Sequence, residues 1–227
     1  DQENLERMTA AIDKTTIFST DDLDIYQEYN GRHKYFIGMD TAGGTGRDYA
    51  CIQVLSDDGT LVATWRSNLA KPHQQAEHAA RLASRYGRAR ILCELNNHGR
   101  SVIQKLSSLG ASLWKDGKGK DWWTQGGRAG ATKKALYNHA REMIDNGWVL
   151  VLDSQTLSEL KQIREHESGA IEADDPHHDD HADALALALW NARKAFVQPG
   201  SSDLGRRVHE RRIKRLRNPH EHWRGMT

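Results

Sequence analysis

"IGMDTAGGTGRDYA", residues 37–50, decides how the chain is read. An apolar run ends on a lone aspartate, Asp40; Gly43, Gly44 and Gly46 follow; and from Tyr49 the chain is apolar again. Apolar runs of strand length separated by glycine-rich turns read as paired strands. "KYFIGMD" (34–40), "YACIQVLS" (49–56) and "TLVATWRS" (60–67) are therefore three strands, the last two joined by the hairpin signal "DDG". They make an antiparallel meander, with Asp40 at the end of its first strand.

Working outward, "KPHQQAEHAARLASRY" (71–86) has Pro72 near its first turn and Ala76, Ala79, Ala80, Leu82 and Ala83 at helical spacing. "ARILCELN" (89–96) is a short apolar run, a strand that ends in Glu94. "GRSVIQKLSSLG" (99–110) and "TKKALYNHAREMIDNG" (132–147) are helices closed by Gly110 and Gly147. "WVLVLD" (148–153) reads as a fifth strand, and "DDHADALALALWNARKA" (179–195) as a last helix with an acidic first turn. This order gives an α/β fold: a mixed sheet, its three-stranded antiparallel meander extended by parallel strands, with helices on both faces. Residues 111–131, rich in Gly, Lys and Trp, form a connection long enough to be functional or mobile.

At 227 residues, 28% charged and 37% hydrophobic, the chain has room for one main domain with flanking segments. No run approaches the roughly 18 apolar residues of a membrane span, and the polar start "DQENLERMTA" has no signal-peptide core, so the chain reads as soluble and intracellular. Without an initiator methionine it also reads as a piece of a longer protein. Cys51 and Cys93 each stand alone in a strand, as small buried side chains rather than a metal or redox pair. The net charge of +1 hides an acidic start, with eight acids against Arg7 and Lys14 in residues 1–30, and a basic end, "RRVHERRIKRLR" at 206–217. Residues 1–34 are set apart as an acidic linker or the remnant of a preceding domain, 35–196 as the domain, and 197–227 as a flexible basic tail that either binds nucleic acid or an acidic partner or is simply solvated.

The acids can now be placed. Asp40 and Glu94 both end strands, and on neighbouring parallel strands their carboxylates share one sheet edge, where open α/β folds bind ligands. Asp180 and Asp183 are three apart at the start of the last helix, on one face, and Asp179 lies one turn before Asp183. Carboxylates brought this close repel and raise each other's pKa unless a hard cation sits among them. All-oxygen ligands favour magnesium or manganese over zinc, and a two-metal site suits phosphodiester hydrolysis. Each acid also has a plainer reading: Asp40 as the start of an Asx turn, Glu94 as a partner of Arg90 or Arg100, and "HHDDHAD" as a capped helix start. Their conjunction, in this order, tips the balance toward a site.

Taken together, "GMDTAGGTGRDYACIQVL", "ILCELNNHGRSVIQKL", "WWT" followed by "TKKAL", and "HHDDHADALALAL" resemble the nuclease domain of the large terminase subunit of tailed double-stranded DNA bacteriophages, in the RNase H-like (RuvC-like) superfamily. The resemblance spans residues 35–194. It implies that Asp40 is the metal-bridging acid of the first strand, Glu94 the acid of the fourth, and Asp180 and Asp183 those of the last helix, with the division among Asp179, Asp180 and Asp183 open. It further implies an endonuclease that cuts concatemeric double-stranded DNA for packaging, using Mg²⁺ or Mn²⁺, with two ions. The implied partners are an ATPase motor domain, a small terminase subunit and a portal protein, in the cytoplasm of the bacterial host and away from membranes. No G-x-x-x-x-G-K-[ST] motif occurs, so the motor is absent from this chain.

Lys115, Lys118, Lys120, Arg128, Lys133 and Lys134, in or beside the long connection, are candidates to grip DNA phosphates, the alternative being a loop kept soluble. Trp122 and Trp123 read as anchors of that connection on the core, in preference to stacking on bases. His98, His178 and His181 are candidate proton carriers, with His177 beside them. Three competing readings are a nucleotide-binding module like actin-type ATPases and sugar kinases, built on "IGMDTAGGTG"; an HD-type phosphohydrolase, built on "HHDD"; and a non-catalytic DNA- or portal-binding piece.

Overall fold

The computed structural model describes residues 2–9, 16–95, 98–122, 131–167, 169–173 and 178–196. Strands β1 (Phe18–Ser19), β2 (Leu23–Ile25), β3 (Tyr35–Asp40), β4 (Ala50–Ser56), β5 (Leu61–Ser67) and β6 (Arg90–Cys93) form one sheet in the order β1-β2-β5-β4-β3-β6. The meander β3, β4, β5 is antiparallel, and β6 pairs parallel to β3. Helices α1 (Gln2–Thr9), α4 (Ala131–Asp145), α5 (Ser154–Gln162) and α6 (Asp180–Ala192) belong to one face, and α2 (Pro72–Arg85) and α3 (Gly99–Ser108) to the other. Strands β7 (Ile163–Glu165) and β8 (Ile171–Ala173) make a separate hairpin. Among the described residues no helix is long and apolar enough to cross a membrane.

The two-residue period of a strand sorts β3 onto two cores. Phe36 packs with Leu136, Ala140 and the leucines of α6, whereas Ile37 and Met39 pack with Leu82 of α2 and Val102 and Leu106 of α3. Gly38 and Asp40, in phase with Phe36, therefore face α6. A Cβ at Gly38 would stand 2.1 Å from the Ala184 carbonyl oxygen and 2.2 Å from the Ala188 amide nitrogen, so only glycine lets α6 lie this close to β3. Buried Asn191 fixes the other end of the helix: its Nδ2 donates to the carbonyls of Ile37 (2.9 Å) and Arg90 (2.7 Å), and Arg90 Nε donates to its Oδ1 (2.7 Å). Leu185, Leu187 and Leu189 are fully buried around this contact, each contributing on the order of 2 kcal/mol. Helix α6 is thus clamped antiparallel along β3, its first turn beside Asp40.

Two differences from the sequence reading have one cause. The fifth strand expected at 148–153 is not a strand: that run has a single parallel bridge, Leu150 to Thr60, with Leu61 N donating to Leu150 O. The rest of that β5 edge is occupied by β2, which pairs Leu23, Asp24 and Ile25 with Trp65, Thr64 and Ala63. The residues that take the edge come from 1–34, the segment set apart as a linker, and with β1 they supply two of the six strands. Gly59, at φ +87°, permits the Leu150 bridge, since a Cβ there would lie 1.9 Å from the Trp148 carbonyl oxygen. The long connection is also more ordered than its composition implies over its first half. Leu113 and Trp122 bridge in parallel to Ile91 and Glu94, and buried Trp114 and Trp122 contact each other while Trp122 also meets Trp190. Trp122 is an anchor; Trp123, Arg128, His177 and the tail from 197 lie outside the described residues. Cys51 and Cys93 are free and buried, as expected.

Candidate metal centre

Four acids come within one another's field where β3 and β6 end and α6 begins. The parallel register sets Met39 opposite Cys93, and Glu94 N donates to Met39 O (3.3 Å), so Glu94 follows as the neighbour of Asp40, about one strand spacing (~4.8 Å) away. Asp180 and Asp183 come from the first turn of α6, which Gly38 admits against the same strand. Asp40 accepts a hydrogen bond from Thr41 N (2.8 Å). Burial, then the charges of Asp183, Glu94 and Asp180, raise its pKa well above the usual carboxylate range. Asp180 is pushed up to about 6 by burial, Glu159 and Asp179. Asp183 is pushed up to about 7 by burial, with Asp179 adding to the shift and Lys133 and Tyr137 opposing it.

The compensating positive charge is Lys133, on α4. Its Nζ donates to Asp183 Oδ2 (3.1 Å) and Asp179 Oδ2 (3.3 Å); burial draws its pKa down, but the two carboxylates outweigh that and the ammonium stays protonated. One helical turn later, Tyr137 Oη donates to Asp183 Oδ1 (2.5 Å), and burial and Asp183 raise its own pKa, so it remains a donor. Neither group bonds Asp40 or Glu94. Among the described residues the Lys133 ammonium thus faces a cluster of carboxylates with excess negative charge, and the candidate ligand atoms are oxygen. In kind and charge the residues fit Mg²⁺ or Mn²⁺. As they stand, no three histidine, cysteine or carboxylate side chains among the described residues converge tightly enough to hold an ion. Lys133 and Tyr137 both donate to Asp183 from α4.

The other residues singled out from the sequence divide sharply. Lys133 belongs to the acid cluster, while Lys134 pairs with Glu165 on β7 and Lys115 with Asp121. Lys118 and Lys120 donate their backbone N–H groups to Asp116 in a turn. His178 is exposed, its Nδ1 3.9 Å from Asp180 Oδ2, and His98, at the start of α3, lies against Gly43 in the turn after Asp40. His181 faces inward: it is 3% exposed and its Nδ1 lies 3.1 Å from Asp153 Oδ2, in a buried network with Thr156. A buried ring tied to Asp153 is badly placed to carry protons at the sheet edge. Arg90, offered as a partner for Glu94, is taken by Asn191.

Sequence reasoning missed Tyr137 and Glu159. Tyr137 had a signal, because it lies four residues after Lys133 on a helix already recognised, hence on the same face. Glu159 had none: its helix, α5, falls in the stretch 154–178 that received no assignment.

The model of the terminase RNaseH-like domain family matches residues 37–192, from β3 through the end of α6. This chain belongs to that family. Membership sets aside the sugar-kinase-like and HD-type readings and accounts for the mixed sheet. Among solved structures, the large terminase nuclease of thermophilic phage G20c with bound magnesium is 22% identical at a TM-score of 0.68, over 82% of this terminase domain and 96% of that chain. The Thermus phage P74-26 large terminase nuclease domain is 22% identical at 0.64, over 82% and 93%. The nuclease domain of the large terminase subunit gp2 of bacterial virus Sf6 is 14% identical at 0.52, over 83% and 96%. At these identities the likeness establishes the terminase domain's fold. No curated protein matches the chain.

Proposed function

We propose that this terminase domain is a Mg²⁺- or Mn²⁺-dependent endonuclease that cuts concatemeric double-stranded DNA during phage genome packaging, in the cytoplasm of the bacterial host. The observation that carries the reading is Asp40, a half-buried carboxyl at a strand end whose charge is opposed by Asp183, Glu94 and Asp180 together. A helix cap or an Asx turn does not need four carboxylates in one another's field; a cation site does. Similar folds crystallised with magnesium, cobalt or zinc add support.

Asp40, Glu94, Asp180 and Asp183 would hold the metal, two ions by the family resemblance, with Asp179 beside them. When bound, the metal supplies an activated water and neutralises charge on the phosphodiester. Lys133 orients Asp179 and Asp183 and opposes the rise in the Asp183 pKa, and as a half-buried cation it adds attraction for a phosphate approaching the cluster. Tyr137 fixes the second oxygen of Asp183. His178 and His98, at the rim, are placed to pass a proton to solvent. Duplex contacts would fall to exposed cations of the connection after α3, Lys118 and Lys120 among them, with Arg128 a candidate outside the described residues. The motor domain, small subunit and portal are the partners the family resemblance supports, and the basic tail is a contact for DNA or portal.

Conversion of supercoiled plasmid tests this. Nicking and linearisation should appear with Mn²⁺ or Mg²⁺, stop with chelator, and vanish in Asp40→Asn while duplex affinity persists. Cleavage that survives in Asp40→Asn rejects the site.

A further inference from the structure

The first turn of α6 is not capped by its own N-cap residue. Asp179 holds that position, where an aspartate ordinarily accepts from the second or third backbone N–H of the helix. Its side chain makes no capping bond and lies instead 3.3 Å from Lys133 Nζ. The second and third N–H groups, those of His181 and Ala182, donate to Oε2 of Glu159 on the neighbouring helix α5, at 2.7 and 3.1 Å. Glu159 is 4% exposed, and its Oε1 accepts from Gln155 Nε2 at 3.0 Å. Asp183 N already bonds Asp179 O (2.7 Å), so Glu159 satisfies the buried donors that the helix start leaves over.

We propose that Glu159 is a positioning residue for the metal centre: it caps α6 from outside, so that none of the side chains of Asp179, Asp180 and Asp183 is taken up by capping. Had Asp179 capped the helix, its carboxylate would fold back on the backbone and leave Lys133. With the cap supplied by α5, no acid of the turn is spent on the helix backbone, and the turn is tied at a fixed height beside Asp40. The arrangement has a cost that points to purpose, since Glu159 adds another negative charge near Asp180. The functional consequence rests on the nuclease reading; the exchange of caps does not.

Two measurements test it. In thermal unfolding with chelator, Asp179→Ala alone should hardly move the midpoint, because Asp179 is not capping. In a Glu159→Ala background Asp179 swings back to cap, so Asp179→Ala there should lower the midpoint by a further ~2–4 °C. Should Glu159→Ala not fold, Glu159→Asp, whose carboxylate falls a methylene short, carries the same cycle. Calorimetry with Mn²⁺ on folded protein should show about tenfold weaker binding in Glu159→Ala, and near-native binding in Glu159→Gln, which keeps the acceptor oxygen. Additive midpoint shifts, or native Mn²⁺ affinity in folded Glu159→Ala, overturn the proposal. If the unaltered chain binds no Mn²⁺, the nuclease reading fails while the unfolding cycle still decides which residue caps α6.

Discussion

Helices α5 and α6 both begin at aspartates, and the two starts are built to opposite ends. At α5, Asp153 is the N-cap: its Oδ2 accepts from Thr156 N (2.7 Å), the Thr156 hydroxyl and His181, and its Oδ1 from Tyr26 Oη (3.0 Å). Burial disfavours its charge, but the His181 and Thr156 bonds outweigh that and hold its carboxyl down at about 2. At α6 the cap is delegated to Glu159, and Asp180 and Asp183 are pushed up to about 6 and 7. An acid at a helix start is structural when it caps the helix and its charge is favoured there. It is available for chemistry when other groups do the capping and its own charge is left opposed.

That contrast breaks most readily at the sheet edge. Asp40→Asn should cut Mn²⁺-dependent cleavage by about 10³-fold or more, the scale on which one group acting in the transition state is felt. It should also raise the urea midpoint in chelator, because it removes a carboxyl whose ionisation Asp183, Glu94 and Asp180 oppose. A destabilised Asp40→Asn protein would place Asp40 with Asp153, among the structural acids. The reciprocal change, Asp153→Ala, strands Thr156, His181 and Tyr26 without their shared acceptor and should cost about 3 kcal/mol by urea denaturation. Mn²⁺ affinity of the folded fraction should change far less.

The same contrast fixes how stability depends on pH without metal. Asp180 and Asp183 titrate at about 6 and 7 in the folded chain and at 3.8 in the unfolded one, so between those values the folded state binds more protons. Stability should therefore rise as pH falls from 7 to 4, by up to several kcal/mol. Below pH 3.8 the sign reverses: Asp153, whose folded value is depressed to about 2, stabilises only while ionised, and about 2 kcal/mol is lost through that window. Saturating Mg²⁺ should abolish the first limb and leave the second. Denaturant midpoints across pH, with and without Mg²⁺, check both; a first limb unchanged by Mg²⁺ would mean that the α6 acids are not its ligands.

How far this was legible beforehand follows the range of the interactions. Asp40, Glu94 and Asp180 to Asp183 could be read because local patterns, strand ends and a helix start, say where a side chain sits, and three such ends in order imply a common edge. The meander and its two faces were legible for the same reason. The edge of β5 was not, because periodicity alone cannot tell that residues 23–25, in an acidic segment, outcompete the apolar run 148–153 for the same backbone partners. Glu159 was invisible because its role lies in two backbone N–H groups of another helix. Lys133 was noticed as a cation for DNA, but its nearest partners are the protein's own acids, a pairing that depends on how α4 packs against α6.

The smallest effect is the sharpest probe of that packing. Tyr137→Phe removes one hydroxyl and no volume to speak of, so the core contact of α4 with α6 should survive, with stability at neutral pH lowered by about 1 kcal/mol. The hydroxyl donates to Asp183 Oδ1 and thereby holds its carboxyl down against burial and Asp179. Without it, Asp183 should titrate higher, and the metal-free stability limb should move to higher pH by up to about one unit. More of Asp183 is then protonated at neutral pH, and since a cation must displace that proton, Mn²⁺ binding at pH 7 should weaken severalfold and recover by pH 8.5. A loss of affinity that persists unchanged at pH 8.5 would mean that Tyr137 shapes the site sterically, and that the Asp183 charge is set by Lys133 alone.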